Sequence, residues 1–241
     1  MNALSDHLDI GLEGISYLEP DQFISSDDIE SQLSPVYDRL KLPYGRIEMQ
    51  TGINTRGVFI DKMPSIISTM AAKKLFKDYK INPSEIDLVI HASVCRDFLE
   101  PSTASVVHHR LGLRDDCKSF DLSNACLGVM SAIDMASTMI NSGVYNKILV
   151  VTGENSRPLL ENTIKTILAD ETITRKTIKK FFANFTIGSA GVALCLGKKT
   201  EDKPYFKTSS ALSETAAHKL CQGDGSTESL VMETDSEELM Q

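Results

Sequence analysis

A cysteine at a predicted strand-to-helix turn is the first candidate for chemistry. Cys126 follows the predicted strand 118–122 and stands at the start of the predicted helix 125–141. The first turn of a helix exposes unpaired N–H groups and the positive end of its dipole, which favours ionisation of a thiol. A thiolate is a nucleophile and nearby N–H groups stabilise an oxyanion, so this position suits covalent acyl transfer. The alternative is a packing role, since free cysteines are usually buried.

A second candidate, Glu100, lies between a predicted strand at 88–94 and a predicted helix at 102–111. In parallel sheets, ligands lie where the strands end and the chain turns into the following helices. The loops 95–102 and 123–126 are therefore expected at one edge of the sheet. A carboxylate just before a helix is also favoured by the helix dipole, which gives Glu100 a purely structural interpretation as well.

Strand and helix patterns alternate along almost the whole chain. Short apolar runs or apolar alternation predict strands, and apolar residues at helical spacing predict helices. The predicted strands are 9–18, 55–60, 88–94, 118–122, 147–152, 190–196 and 205–212. The predicted helices are 25–40, 64–79, 102–111, 125–141 and 157–182, the last broken near 170–172. This alternation predicts the α/β class, with a mainly parallel sheet sandwiched by helices.

The composition is that of a globular protein, since 41% of the 241 residues are hydrophobic and 24% are charged. The formal net charge is −8, most of it carried by residues 221–241. Such a surface does not attract phosphate backbones, so no nucleic-acid partner is expected. We expect no signal peptide, because residues 1–7 have no basic and apolar leader pattern, and no apolar run reaches the ~20 residues of a membrane span. The five cysteines form no Cys-x-x-Cys pair, so we expect reduced thiols and a cytoplasmic protein.

Other residue patterns do not indicate a metal or a resident cofactor. His108 and His109 are adjacent and point to different sides of one helix, and no cysteine or histidine pair has zinc spacing. The sequence has no glycine-rich nucleotide loop, so no permanently bound cofactor is expected. A basic stripe is typical of a solvated surface, but would also suit a CoA phosphate or an acyl carrier; it comprises Arg175, Lys176, Lys179 and Lys180.

Three segments resemble signature motifs of the thiolase superfamily, in the branch of the β-ketoacyl synthase III enzymes. Residues 120–127 (FDLSNACL) resemble the nucleophile segment, 51–56 (TGINTR) the Thr-Gly-Ile-x-x-Arg signature, and 188–191 a glycine-rich turn. The resemblance implies one half of a duplicated α-β-α-β-α architecture. Residues 1–220 are expected to form the half that carries the nucleophile. Residues 221–241 are expected to form an acidic connection toward an absent C-terminal half, which supplies a catalytic histidine and asparagine.

A finer resemblance is to the OleA branch, the long-chain acyl-CoA condensing enzymes of bacterial olefin biosynthesis. It is carried by residues 96–105, 124–127 and 219–221. It implies that Cys126 is the acylated nucleophile and that Glu100 is a general base acting across the interface of a homodimer. The substrates would be fatty acyl-CoA thioesters, joined by Claisen condensation to a β-keto acid or its thioester. Downstream enzymes of hydrocarbon biosynthesis would be further partners.

Two alternatives stay open. The chain could be a β-ketoacyl carrier-protein synthase III, which condenses acetyl-CoA with a malonyl carrier protein by decarboxylation and needs no Glu100. It could also be a non-catalytic or truncated half that needs a second polypeptide. The chain has no tryptophan, and Arg46 and Gln50 stand where synthase III enzymes grip the CoA adenine. None of its histidines matches the catalytic histidine of the family.

Overall fold

A computed structural model describes residues 4–224, 231–235 and 238. The strands are β1 (Leu4–Leu18), β2 (Gln22–Ser25), β3 (Thr55–Val58), β4 (Leu88–Ala92), β5 (Lys118–Leu122), β6 (Lys147–Glu154), β7 (Ala190–Lys198), β8 (Tyr205–Ala211), β9 (Cys221–Asp224) and β10 (Val231–Thr234). The α-helices are α1 (Ser26–Gln32), α2 (Ser34–Leu40), α3 (Arg46–Thr51), α4 (Pro64–Tyr79), α5 (Thr103–Leu111), α6 (Gly128–Asn141) and α7 (Arg157–Ala169).

The chain divides into two compact units. The first comprises Met1–Glu19, Asp61–Asn155 and Ala190–Leu212, and the second comprises Pro20–Ile60, Ser156–Ser189 and Ser213–Gln241. The first unit contains a six-stranded sheet and both candidate loops, so it carries the candidate site.

The sheet of the first unit is mixed, with strand order β5-β4-β6-β7-β1-β8. Parallel pairing is confined to β5, β4 and β6. Helix α5 connects β4 to β5, and helix α6 connects β5 to β6. The remaining pairs, β6–β7, β7–β1 and β1–β8, are antiparallel. The predicted α/β class is confirmed. The alternation of elements predicted the parallel part, because a helical crossover returns the chain to the same edge of the sheet.

Helices cover both faces of this sheet, as the sequence predicted. Alternate residues of β4 point to opposite faces. Val89 packs in a cluster with Leu75 of α4 and Val107 of α5, whereas Ile90 packs in a second cluster with Ile133 of α6. Because both faces are buried, all five residues of β4 are buried, which explains its continuous apolar run.

The second unit has its own apolar core. Residues of α1, α2, α7 and the 3-10 stretch Thr177–Thr186 form it, including Ile29, Tyr37, Ile164 and Phe185. The buried Glu30 carboxylate accepts hydrogen bonds from the Ile47 N–H at 2.7 Å and from the Gly45 N–H, which fixes the start of α3. Strands β9 and β10 pair antiparallel. The assignment of 221–241 as a connection stays a prediction.

Several element bounds differ from the sequence-based expectation. The predicted helix 25–40 is split into α1 and α2 at Leu33, because Pro35 cannot donate the hydrogen bond that a continuous helix needs there. The strand β2 and the helix α3 were not predicted. Both are short, and α3 is bounded by Gly45 and Gly52, each with a positive φ. Among the described residues, every helix is too short or too polar to cross a lipid bilayer.

Candidate active site

The structure presents Cys126 on a short turn between β5 and α6. The predicted helix 125–141 begins as a 3-10 turn, Ala125–Leu127, and becomes α-helical at Gly128. Ala125 has φ 45°, a left-handed conformation that is strained for a residue other than glycine. Strained backbone of this kind is common at functional sites. Among the described residues Cys126 is exposed, whereas the packing alternative expects a buried cysteine.

Neighbouring groups hold this turn in place. The Leu127 N–H donates to the Asn124 carbonyl at 3.0 Å, and the Asn124 amide donates to the Ser131 hydroxyl at 2.8 Å. A Cβ added to Gly128 would lie 3.5 Å from the carbonyl carbon of Ala92, so the start of α6 rests against the end of β4. The turn is therefore anchored to the helix that follows it and to the neighbouring strand.

Burial distinguishes Cys126 from the other thiols of the first unit. Burial raises the pKa of the Cys195 thiol to about 12 and that of Cys117 to about 11. Burial and the nearby Glu154 carboxylate raise the pKa of Cys95 to about 12. These three thiols stay protonated near neutral pH, so they are poor nucleophiles. Cys126 is the exposed thiol of this unit.

Glu100 lies at the tip of the loop 93–102, which joins β4 to α5. Its side chain is exposed, the neighbouring Leu99 is 92% exposed, and the Glu100–Pro101 peptide bond is cis. Loops 93–102 and 123–127 follow the carboxyl ends of neighbouring parallel strands, β4 and β5. The structure therefore places Cys126 and Glu100 on adjacent loops at the same edge of the sheet, as predicted.

The dipole of α5 does not explain the position of Glu100, because other groups accept hydrogen bonds from the first N–H groups of that helix. The Ser102 hydroxyl accepts from the Ser105 N–H at 3.3 Å. The Asp121 carboxylate accepts from the N–H groups of Thr103 and Ala104 at 2.9 and 2.7 Å. Within the described residues, the Glu100 carboxylate has no hydrogen-bond or ion-pair partner. Hydrogen bonding within this part of the chain therefore does not explain the position of Glu100.

A buried polar cluster lies beneath the loop that carries Glu100, and sequence analysis did not identify it. The His91 Nδ1 and Asp121 Oδ1 atoms are 3.9 Å apart. Arg96 Nη1 lies 3.9 Å from the other Asp121 oxygen. Asp97 accepts a hydrogen bond from the Ser65 N–H in the first turn of α4. Glu154 accepts hydrogen bonds from the Val94 and Cys95 N–H groups of the loop. The only sequence signal was the number of acidic residues near predicted strand ends.

Three of the basic residues considered for CoA binding, Arg175, Lys180 and Arg46, have structural partners. The Arg175 guanidinium donates to the carbonyls of Leu40 and Lys41 at 2.6 and 2.7 Å. Lys180 pairs with Glu233 at 2.6 Å. Arg46 lies over the Phe182 ring at 5.4 Å. In the part of the chain that the structure describes, no cluster of three histidine, cysteine or acidic residues could hold a metal ion.

A helix-covered α/β sheet with an exposed cysteine on the turn after the edge strand β5 is typical of a thiolase-like condensing-enzyme fold. The chain belongs to the FAE1/Type III polyketide synthase-like protein family, whose model matches residues 37–176. The predicted thiolase-superfamily resemblance is thereby confirmed.

Individual relatives are similar over most of this chain. The acyl-CoA:acyl-CoA alkyltransferase of Xanthomonas campestris is 32% identical over 218 residues, 89% of this chain and 64% of that protein. The alkyltransferase of Shewanella oneidensis is 33% identical over 83% of this chain and 58% of that protein. A β-ketoacyl-[acyl-carrier-protein] synthase III of Desulfitobacterium hafniense is 33% identical over 63% of this chain and 44% of that protein. The chain thus spans less than two thirds of these relatives.

Solved structures of Xanthomonas campestris OleA share the fold. The cerulenin-bound form superimposes with a TM-score of 0.90 and 31% identity, covering 97% of this chain and 67% of that one. A variant with a glutamate replaced by aspartate and a variant with a cysteine replaced by alanine give the same TM-score. The predicted resemblance to the OleA branch is confirmed.

Proposed function

We propose that this chain carries the nucleophile and the base of an enzyme that joins two fatty acyl-CoA thioesters by Claisen condensation. Cys126 is the nucleophile and Glu100 is the general base. The proposal is carried by one observation: an exposed thiol on a strained turn lies at the same sheet edge as an exposed carboxylate that has no described partner. CoA thioesters are the substrates, and no resident cofactor takes part.

The spacing of these residues supports the proposal. In the OleA variants, the replaced glutamate precedes the replaced cysteine by as many positions as Glu100 precedes Cys126. The replaced histidine lies farther beyond that cysteine than Gln241 lies beyond Cys126. The catalytic histidine that the family resemblance implies would therefore have its counterpart outside these residues.

The reaction divides into two steps. In the first, the Cys126 thiolate attacks the carbonyl carbon of an acyl-CoA, the carbon–sulfur bond to CoA breaks, and CoA leaves as a thiolate. In the second, the Glu100 carboxylate removes an α-proton from one thioester, and the resulting enolate attacks the carbonyl of the other. The thiolate bonded to that carbonyl leaves, which gives a β-keto thioester or, after hydrolysis, the acid. Covalent catalysis separates acyl transfer from carbon–carbon bond formation.

We further propose that Glu100 acts across the interface of a homodimer. The tip around it is unusually apolar for an exposed loop, with Val94, Phe98 and Leu99 each about half or more exposed. Exposed apolar surface of this kind is typical of a contact with another protein. Sedimentation of the purified chain measures its oligomeric state, and a strict monomer contradicts this part of the proposal.

The free Glu100 carboxylate favours condensation by deprotonation over a synthase III reaction. Decarboxylation of a malonyl group generates the enolate without removing a proton. Such a reaction has no use for a general base, whereas Glu100 is exposed and has no partner within the part of the chain that the structure describes. A role in hydrocarbon biosynthesis, with downstream enzymes as partners, follows from the same proposal.

Acylation of the chain by a long-chain acyl-CoA, such as myristoyl-CoA, tests the first step. We expect release of CoA and an acyl adduct on the peptide that contains Cys126. A Cys126→Ala variant should abolish both. Cys221→Ala is the matched control, because Cys221 is also an exposed thiol. Equal acylation of both cysteines, or none of either, contradicts the assignment of Cys126.

A further inference from the structure

The loop 93–102, here called the Glu100 loop, must satisfy its backbone groups without regular structure. It contains no strand or helix, yet Ser93 and Asp97 within it are buried. Buried backbone N–H groups need partners, and a loop obtains them from side chains or water. What fixes this loop also fixes the position of Glu100 at its tip.

Glu154, the last residue of β6, binds the beginning of the loop. Its Oε1 atom accepts from the Ser93 hydroxyl at 2.7 Å and from the Val94 N–H at 2.8 Å. Its Oε2 atom accepts from the Cys95 N–H at 3.1 Å. Three groups on consecutive loop residues therefore converge on one carboxylate, and hydrogen bonds to an ionised acceptor are the strong ones.

Two aspartates bind the rest of the loop and the start of the next helix. Asp97 accepts from the Ser65 N–H at 2.8 Å, and the Asp97 N–H donates to the Thr103 hydroxyl at 3.2 Å. Asp121 holds the first N–H groups of α5 just past the loop. Between these fixed points, the tip 98–101 is exposed.

We propose that Glu154 is a positioning residue that holds the Glu100 loop in the geometry for α-proton removal. The inference rests on the proposed role of Glu100 as general base. Asp97 and Asp121 also cap α4 and α5, so their loss would disturb helices as well as the loop. Among the described residues, the hydrogen bonds of the Glu154 side chain all go to residues of the loop. Glu154 is therefore the residue whose substitution tests the position of the loop alone.

Hydrogen exchange of the 241-residue chain tests whether Glu154 holds the loop. In Glu154→Gln, one acceptor atom becomes a donor and the charge is lost, so we expect the Val94 and Cys95 amides to exchange about tenfold faster or more. Exchange within α4 should not change. Glu85→Gln is the matched control, because Glu85 pairs with Lys147 at the other end of β6. Unchanged exchange at Val94 and Cys95 in Glu154→Gln overturns the proposal.

The two half-reactions test whether the loop position serves Glu100. Acyl transfer to Cys126 should stay within about twofold in Glu154→Gln, while condensation falls. Condensation by the double variant Glu100→Gln with Glu154→Gln should be no slower than by Glu100→Gln alone, because both changes remove the same base. If the double variant instead loses condensation by the product of the two separate losses, the proposal is overturned. If Glu100→Gln alone has no effect, the proposed base is wrong, and hydrogen exchange still decides whether Glu154 holds the loop.

Discussion

His91 and Asp121 are register partners on neighbouring parallel strands, and their side chains face each other with 3.9 Å between Nδ1 and Oδ1. His91 is 1% exposed, and neither ring nitrogen makes a hydrogen bond within the described residues. A buried imidazole without partners stays neutral unless nearby charges favour its proton. Protonation of His91 would therefore place a positive charge beside Asp121, which binds the start of α5 just past the Glu100 loop.

Stability should decrease as the pH falls below the ordinary pKa of histidine. Burial lowers the pKa of His91 from 6.5, although the carboxylates of Asp121, Glu154 and Asp97 oppose the shift. Below pH 6.5 the unfolded chain binds a proton at this histidine that the folded chain does not. The free energy of unfolding then falls with decreasing pH until the folded-state pKa is reached.

Urea unfolding from about pH 5 to 7 measures this dependence, the range in which histidine titrates. The variant His91→Gln should show a flatter slope than the wild type. His109→Gln, an exposed histidine of α5, should keep the wild-type slope. Equal slopes for His91→Gln and the wild type contradict the prediction.

The Asp121 carboxylate should contribute strongly to stability. It accepts two hydrogen bonds from the first turn of α5, and its side chain is only 7% exposed. We expect Asp121→Asn to lower the free energy of unfolding by about 1.5–3 kcal/mol, the usual range for hydrogen bonds to a charged group. Denaturant unfolding measures the change. Asp116→Asn, whose side chain is 77% exposed, is the control and should have a much smaller effect.

Local patterns predicted the elements but not the network that joins them. The bounds of α4 and β5 agree with the sequence because apolar spacing and flanking residues define them locally. The contacts of Glu154 with Ser93, Val94 and Cys95 join residues far apart in sequence, so no local period reveals them. The antiparallel place of β7 beside β6 was likewise hidden, because strand patterns do not encode direction.

For the candidate site, too, the sequence indicated individual residues but not the contacts between them. Helix-start rules and family motifs indicated Cys126 as the candidate nucleophile, and the family resemblance alone indicated Glu100 as the candidate base. Those rules did not predict that Ala125 takes a left-handed conformation, which is a tertiary constraint on one residue. The same rules also suggested that Glu100 interacts with the dipole of α5. In the structure, the Asp121 carboxylate of β5 accepts hydrogen bonds from the first N–H groups of that helix.

Gly153 should not tolerate a side chain. A Cβ there would lie 2.3 Å from the Pro64 carbonyl oxygen and 2.7 Å from the Ser68 hydroxyl, so β6 and α4 would have to separate. We expect Gly153→Ala to cost about 1–3 kcal/mol in stability, as overpacked cores do. Thermal or urea unfolding measures it. At Gly128 the nearest atom would be 3.5 Å away, so Gly128→Ala should be well tolerated.

Substitution of Glu100 should separate the two steps of the proposed reaction. Glu100→Ala removes the base but leaves the Cys126 turn and the described hydrogen bonds of the loop intact. We therefore expect acyl transfer to Cys126 to persist, while condensation falls about 10²–10⁴-fold, the usual contribution of a general base. Assays of CoA release and of β-keto product measure the two steps separately. Glu201→Ala, at an exposed acid in the turn between β7 and β8, is the control. Full condensation by Glu100→Ala would instead favour an enzyme that makes its enolate by decarboxylation, because such an enzyme needs no base at this position.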